Sequence, residues 1–436
     1  MVLVAGLIGL PAVALRFACV GKSCPVAAAA PPPVPVCPRP AAMKAQIAAG
    51  YGDGRSPVVL GVPARQGAVT GGTGPTPARL GWPAIAPAPD TSVPIVFVGR
   101  GVSPGRLPPR TGLDQVAPTL ASIMGFRRSH PEIRAGVAIP GVARVAHPAL
   151  VLMVGWAGVG WSDLSGHLSR TQWLRSALGS GAGTLRGTTG SVPLDPASTL
   201  TTMGTGGLPR QHGITGSLLL GPGGTVVPAW GAGSPLSIIA TLADDWSQAR
   251  PDASIGLIAP GSADRGLIGG NWYVGHGPVD LRFGGDPLAA ERSMLRQGYG
   301  TDGTTDILGV VLNGSPGRVD RETASLVRAA NAATGGSLTV VVAGTGSMGS
   351  AAIPAAMPPA VTGTEIAARI DAALGAPGLI TGVGGGGVFI NNKVMTSRTL
   401  STSDVSSAMA ALHEPGGAPL FDSTFPGFAV AFGKYC

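Results

Sequence analysis

Short apolar runs punctuated by glycine and proline recur along the chain. VVLGV (58–62), VPIVFVG (93–99), ALVLMVG (149–155), LGVVLNG (308–314) and LTVVVAG (338–344) are apolar without polar alternation, the pattern of strands buried on both faces. Between and after them lie segments whose apolar residues recur three and four apart. These are DQVAPTLASIMG (114–125), a segment after Thr199, VDRETASLVRAANAA (319–333), GTEIAARIDAALG (363–375) and 402–412. In the third, Val319, Leu326, Val327 and Ala330 share one face, so these segments predict helices. Strands and helices taken in turn predict an α/β fold, with a mainly parallel central sheet covered by helices on both faces.

Composition narrows the picture. The chain has 436 residues, 44% of them hydrophobic, enough for one large α/β domain or two to three ordinary ones. Its 70 glycines and 41 prolines are interleaved with the apolar runs, so they read as tight turns between buried strands. The formal charge of +8 is carried almost wholly by arginine, since lysine occurs only at Lys22, Lys44, Lys393 and Lys434. These arginines are scattered, which argues against a nucleic-acid surface. No segment reaches the roughly 20 apolar residues of a membrane-spanning helix.

Residues 1–15 are apolar and lead into Ala and Pro tracts, a pattern that resembles the core of a secretory signal and predicts export from the cell or to its envelope, with an anchor or a mis-assigned start codon as the open alternatives. Peripheral association with a membrane or envelope is compatible with that reading. Cys19, Cys24, Cys37 and Cys436 permit two disulfides in three connectivities, which suits an oxidising compartment. The expected organisation is a leader and Pro-rich linker (1–40), a front module (41–145) and a main module (146–436).

The most informative segment is VPLDPASTLTTMGTGGLPRQHGITG (192–216), in which Thr205, Gly206, Pro209, His212, Gly213 and Ile214 form a TG-x-x-P-x-x-HGI signature. With the strands 149–155, 308–314 and 338–344, it resembles the alkaline phosphatase superfamily, in its type I phosphodiesterase and nucleotide pyrophosphatase branch. The front module contributes VVLGVPARQG (58–67) and SVPIVFVGRGVSPGRLPPRTGLDQVAPTLASIMGF (92–126). Both are similar to segments that come late in the superfamily domain, so the order here is permuted or partly duplicated.

The resemblance implies an alkaline-phosphatase-like fold and a hydroxyl nucleophile at a helix N-terminus, with two divalent metals held by Asp and His at strand ends. The residues at those places are of other types. The first strand is followed by Trp156 and Ala157, the central strand by Asn313, Gly314, Ser315 and Pro316, and the third strand by Thr345 and Gly346, with Arg65 and Gln66 in the front copy. The nucleophile position falls at Pro196.

The candidate catalytic residues are therefore Asp163, Asp195, Ser198, Thr199 and His212. Each has a structural reading beside the catalytic one: Asp163 as a cap, Asp195 and Pro196 as a turn entering a helix, Ser198 and Thr199 as an N-cap pair, and His212 as a turn-bonding histidine. The glycine run 384–387 reads as a turn. The functional expectation is a pseudoenzyme without cofactor that binds a small molecule or an envelope protein. Its alternative is an active phosphodiesterase or phosphatase with an altered site, which would need zinc or another divalent metal.

Overall fold

The computed structural model describes residues 40–64, 69–70, 90–108, 110–270, 272–273, 279–347, 361–384 and 386–433. All of these residues belong to one compact unit. Residues 1–39 of the leader and linker, the four cysteines, Arg65, Gln66 and His276 lie outside the described residues.

In chain order the strands of the two larger sheets are β1 (Val59–Pro63), β2 (Ser92–Gly99), β3 (Gly105–Arg106), β4 (Leu150–Ala157), β5 (Ala182–Thr188), β6 (Ile255–Ala259), β7 (Asp280–Phe283), β8 (Asp306–Asn313), β9 (Leu338–Gly344), β10 (Ile380–Gly384), β11 (Gly387–Ile390) and β12 (Phe421–Pro426). The helices that matter here are α1 (Ala41–Gly50), α2 (Val116–Ile123), α3 (Trp161–Ser165), α4 (Gln172–Ser180), α5 (Pro196–Thr205), α6 (Leu242–Ala249), α7 (Pro287–Arg296), α8 (Pro316–Ala333), α9 (Gly363–Ala373) and α10 (Thr402–Ala410). Among the described residues no helix is long and apolar enough to cross a membrane.

The eight-stranded central sheet runs β7-β6-β8-β4-β9-β2-β5-β3. Only β2 is antiparallel to its neighbours; all other adjacent pairs are parallel. All eight residues of β4 are buried, and they divide by parity between two apolar layers. Val151 and Met153 meet α2, α5 and α6 through Leu120, Leu200 and Trp246. Leu150, Leu152, Val154 and Trp156 meet α4, α7 and α8 through Leu174, Met294 and Leu326. Burial on both faces, at ~1.5–3 kcal/mol per large aliphatic side chain, explains why these strands lack polar alternation. The chain thus adopts the expected α/β fold.

The front segment is built into both sheets. β2 lies between β9 and β5, and β1 joins a second, antiparallel sheet of order β10-β11-β1-β12. Residues of 41–145 and 146–436 therefore share their hydrogen-bond ladders. Gly384 and Gly387 of the glycine run pair where β10 and β11 form an antiparallel ladder. α9 and α10 cover one face of this sheet through Ile366, Ile370 and Met409. α1 packs Met43 and Ile47 with Leu60, Val62 and Leu194, which holds the segment entering α5.

Candidate functional site

Catalytic groups in open α/β folds gather at the carboxyl ends of the parallel strands. Here three of those ends are neighbours. Asn313 at the end of β8 pairs with Ala157 of β4, and Trp156 of β4 pairs with Gly344 of β9. The three strand ends of the resemblance thus form one row, but its side chains are Trp, Ala, Asn, Gly and Thr. Trp156 points into the core, where Nε1 donates to Thr323 Oγ1 at 2.9 Å. The Thr345 hydroxyl accepts the Gly158 N–H at 2.8 Å. Asp306 begins β8 and so lies at the opposite edge; it accepts the N–H groups of Ser254 and Gly300 at 2.6 and 2.7 Å.

Four of the five candidate residues come together around α5. Asp195 is its N-cap and Pro196 its first residue, the start signal expected from the sequence. The Asp195 carboxylate accepts the Ala197 N–H at 2.9 Å and both the N–H and hydroxyl of Ser217 at 2.7 Å. Burial raises its pKa, opposed by these hydrogen bonds. Ser198 and Thr199 are not the N-cap pair, because the helix starts before them. They lie in its first turn, where their hydroxyls donate to the Asp195 carbonyl oxygen at 2.9 and 3.0 Å. Both are fully buried.

His212 ends the short helix Pro209–His212 and is also fully buried. Nε2 lies 3.1 Å from Thr202 Oγ1, and Nδ1 accepts the Ile214 N–H at 3.1 Å. Burial, reinforced by the nearby Arg55 cation, lowers its pKa to about 3. Gly206 closes α5 with φ +79°, a left-handed conformation suited to glycine.

Asp163 stands apart on α3. Its carboxylate accepts the Gly160 N–H at 2.9 Å and a hydrogen bond from Ser347. Burial raises its pKa, with Asp90 adding to the rise. Asp90, which sequence reasoning missed, accepts the Ser162 N–H at 2.8 Å. An apolar plug lies at the α5 side of this region: a side chain at Gly346 would meet Leu194 Cδ2 at 2.9 Å, and Leu194 is itself buried.

Sequence reasoning also missed a buried ionic cluster under the C-terminal end of α5. Arg128 donates to Asp245 and to the Thr205 and Ala240 carbonyls at 2.7, 2.7 and 3.0 Å. Arg134 also reaches Asp245, at 3.3 Å, and Tyr273 donates to it at 2.9 Å. The two cations complement the carbonyl end of the helix. Arg128 and Asp245 are 117 positions apart, and no local motif announces such a pair.

No family model matches the chain, and no curated protein matches it. Two solved structures of the alkaline phosphatase PafA overlay on it: the wild-type enzyme with a TM-score of 0.43 and a multiply substituted mutant with 0.40. Each is 14% identical and covers 61% of this chain and 76% of the phosphatase chain. The α/β assignment rests on the strand order and the two helical layers themselves.

The donor set does not fit the two-metal centre that the resemblance implies. Among the described residues no group of three or more His, Cys, Asp or Glu side chains could hold a metal ion, and the polar side chains at the mapped strand ends are the amide of Asn313 and the hydroxyls of Ser315 and Thr345 beside the Trp156 indole. At this edge lies a crevice of about 210 Å³ between the ends of β6 and β8, lined by Asn313, Arg318, Glu322 and Gly284 among others. The chain leaves β6 toward the sheet edge at β7 and leaves β8 inward toward β9. That divergence opens a binding crevice in folds of this class.

Proposed function

We propose that the chain is a non-catalytic homologue of the alkaline phosphatase superfamily, in the type I phosphodiesterase branch, and that it binds a small molecule or an envelope protein in a secreted or envelope setting without a cofactor. One observation carries this reading. The row of strand ends where two cations would sit presents no carboxylate and no imidazole, while the nearby candidates Asp163, Asp195 and His212 are already engaged inside the fold. The hydroxyls that could act as nucleophiles are buried and donate to a backbone carbonyl, so neither is poised for attack.

The alternative is an active hydrolase with Asp163, Ser198, Thr199 and His212 in an altered site, and the clustering of three of these residues at α5 favours it. A chromogenic phosphodiester, offered with zinc or manganese, separates the two readings. The binding protein gives no turnover above the metal-only control. Turnover that vanishes in Thr199→Ala while the fold is retained would establish the hydrolase.

A further inference from the structure

β5 is the last long strand at one edge of the central sheet, and β3 covers only its start, with Arg106 beside Gly183. The chain next meets that edge where Gly112 bridges Thr188. Between these attachments β5 is bulged. Toward β2, Thr184 faces Ile95 and Gly187 faces Val93, so Leu185 and Arg186 together oppose Pro94, which has no N–H to give the ladder. The Arg186 N–H is taken instead by the Thr184 hydroxyl at 3.0 Å.

Bulges re-aim side chains, and this one coincides with the placement of the Arg186 guanidinium 4.0 Å from the centre of the Trp161 ring. Arg106 and Arg110 line the same groove, which has a volume of about 1070 Å³ and apolar walls at Leu178 and Leu185. Arg110 adopts φ +65°, a left-handed conformation that a non-glycine residue holds only under constraint. Among the described residues no carboxylate lines the groove. Among the described residues no ion pair engages Arg106, Arg110 or Arg186. Three unpaired guanidinium groups beside an indole and two leucines are complementary to a flat, apolar body with an anionic end.

We propose that this groove binds a planar aromatic oxyanion, with the ring stacked on the Arg186–Trp161 platform and the oxyanion held by the guanidinium forks of Arg106 and Arg110. Arginine suits both tasks, since its planar group stacks on rings and pairs bidentately with phosphate or carboxylate. The inference deepens the binding reading but does not need the chain to be inactive.

The test is calorimetric titration of the full chain with naphthalene-1-phosphonate, naphthalene-1-carboxylate and inorganic phosphate. The phosphonate carries a C–P bond that phosphatase chemistry cannot consume, so the outcome is independent of any hydrolysis. Saturable binding of at least one naphthalene anion at one site is expected, with inorganic phosphate weaker by roughly tenfold or more. The ratio between the two naphthalene anions distinguishes a phosphate from a carboxylate as the preferred oxyanion. Arg186→Ala and an Arg106→Ala, Arg110→Ala double variant should each weaken the arene anion by about tenfold. Arg186→Lys, which keeps the charge but not the planar stack, should weaken it while leaving phosphate unchanged, and melting temperatures control for folding. Absence of saturable binding, binding unchanged in the arginine variants, or equal affinity for inorganic phosphate would overturn the proposal.

Discussion

The Thr202 hydroxyl lies 3.1 Å from His212 Nε2 and 3.1 Å from the Ser198 carbonyl oxygen. A carbonyl only accepts, so the hydroxyl donates to Ser198 and must itself accept a proton from Nε2. Nδ1, which receives the Ile214 N–H, is then bare. His212 is a neutral imidazole with both nitrogens engaged, and the histidine of the signature serves as a clasp between α5 and the turn that follows it.

Replacing His212 by Ala therefore removes packing volume and leaves the Ile214 N–H without its partner. A loss of about 2–4 kcal/mol is expected in denaturant unfolding. The imidazole also gives stability a pH dependence. Below its ordinary value of 6.5 the unfolded chain gains a proton that the folded chain refuses until about pH 3. Its contribution is constant above 6.5 and falls as pH drops from 6.5 toward 3. Between pH 7 and 5 the wild type should lose stability more steeply than a folded His212→Gln variant.

Asp195 caps α5 and binds Ser217, so Asp195→Ala should cost about 2 kcal/mol. Ser198→Ala removes one hydroxyl whose acceptor, the Asp195 carbonyl, is also served by Thr199 and should cost under ~1 kcal/mol. Thermal melts of the two variants check the order; a Ser198 effect larger than that of Asp195 would contradict the capping account.

These residues show which parts of the structure were legible in the sequence. β4, β8 and β9 are buried on both faces, so their unbroken apolar runs announced a parallel sheet. Asp195 followed by Pro196 announced the start of α5, because the first turn of a helix lacks acceptors for its N–H groups. Sequence alone did not place Ser198 and Thr199 inside that turn, since hydroxyl residues suit a cap and a first turn alike. Nor did it find the Arg128–Asp245 pair or the Arg186–Trp161 stack, because long-range pairs leave no periodic trace.

The Arg128–Asp245 pair supplies another test. Arg128 is 7% exposed and binds one carboxylate and two carbonyls. Arg128→Ala leaves part of the Asp245 charge buried without its partner, and a loss of about 3–5 kcal/mol is expected in chemical denaturation. Arg128→Lys should recover only a fraction, because an ammonium cannot span the three acceptors.

Glu291 predicts the opposite sign. It is fully buried on α7, and among the described residues neither carboxyl oxygen has a hydrogen-bond partner. Burial pushes its pKa up to about 8 from 4.5. A raised acid contributes most below pH 4.5, and its contribution is lost as pH climbs through 8. Glu291→Leu should therefore stabilise the protein by roughly 1–3 kcal/mol at pH 8 and by less at pH 5. Melting curves at the two pH values check both the sign and the trend.

The central claim is that the row formed by Trp156, Ala157, Asn313, Gly344 and Thr345 cannot assemble a two-metal centre. Elemental analysis of the purified chain, after incubation with zinc and manganese and removal of loosely bound ions, tests it most directly. The account predicts far less than one equivalent of either metal per chain. Retention of one or more equivalents, reduced by Asp163→Asn or His212→Gln, would contradict it.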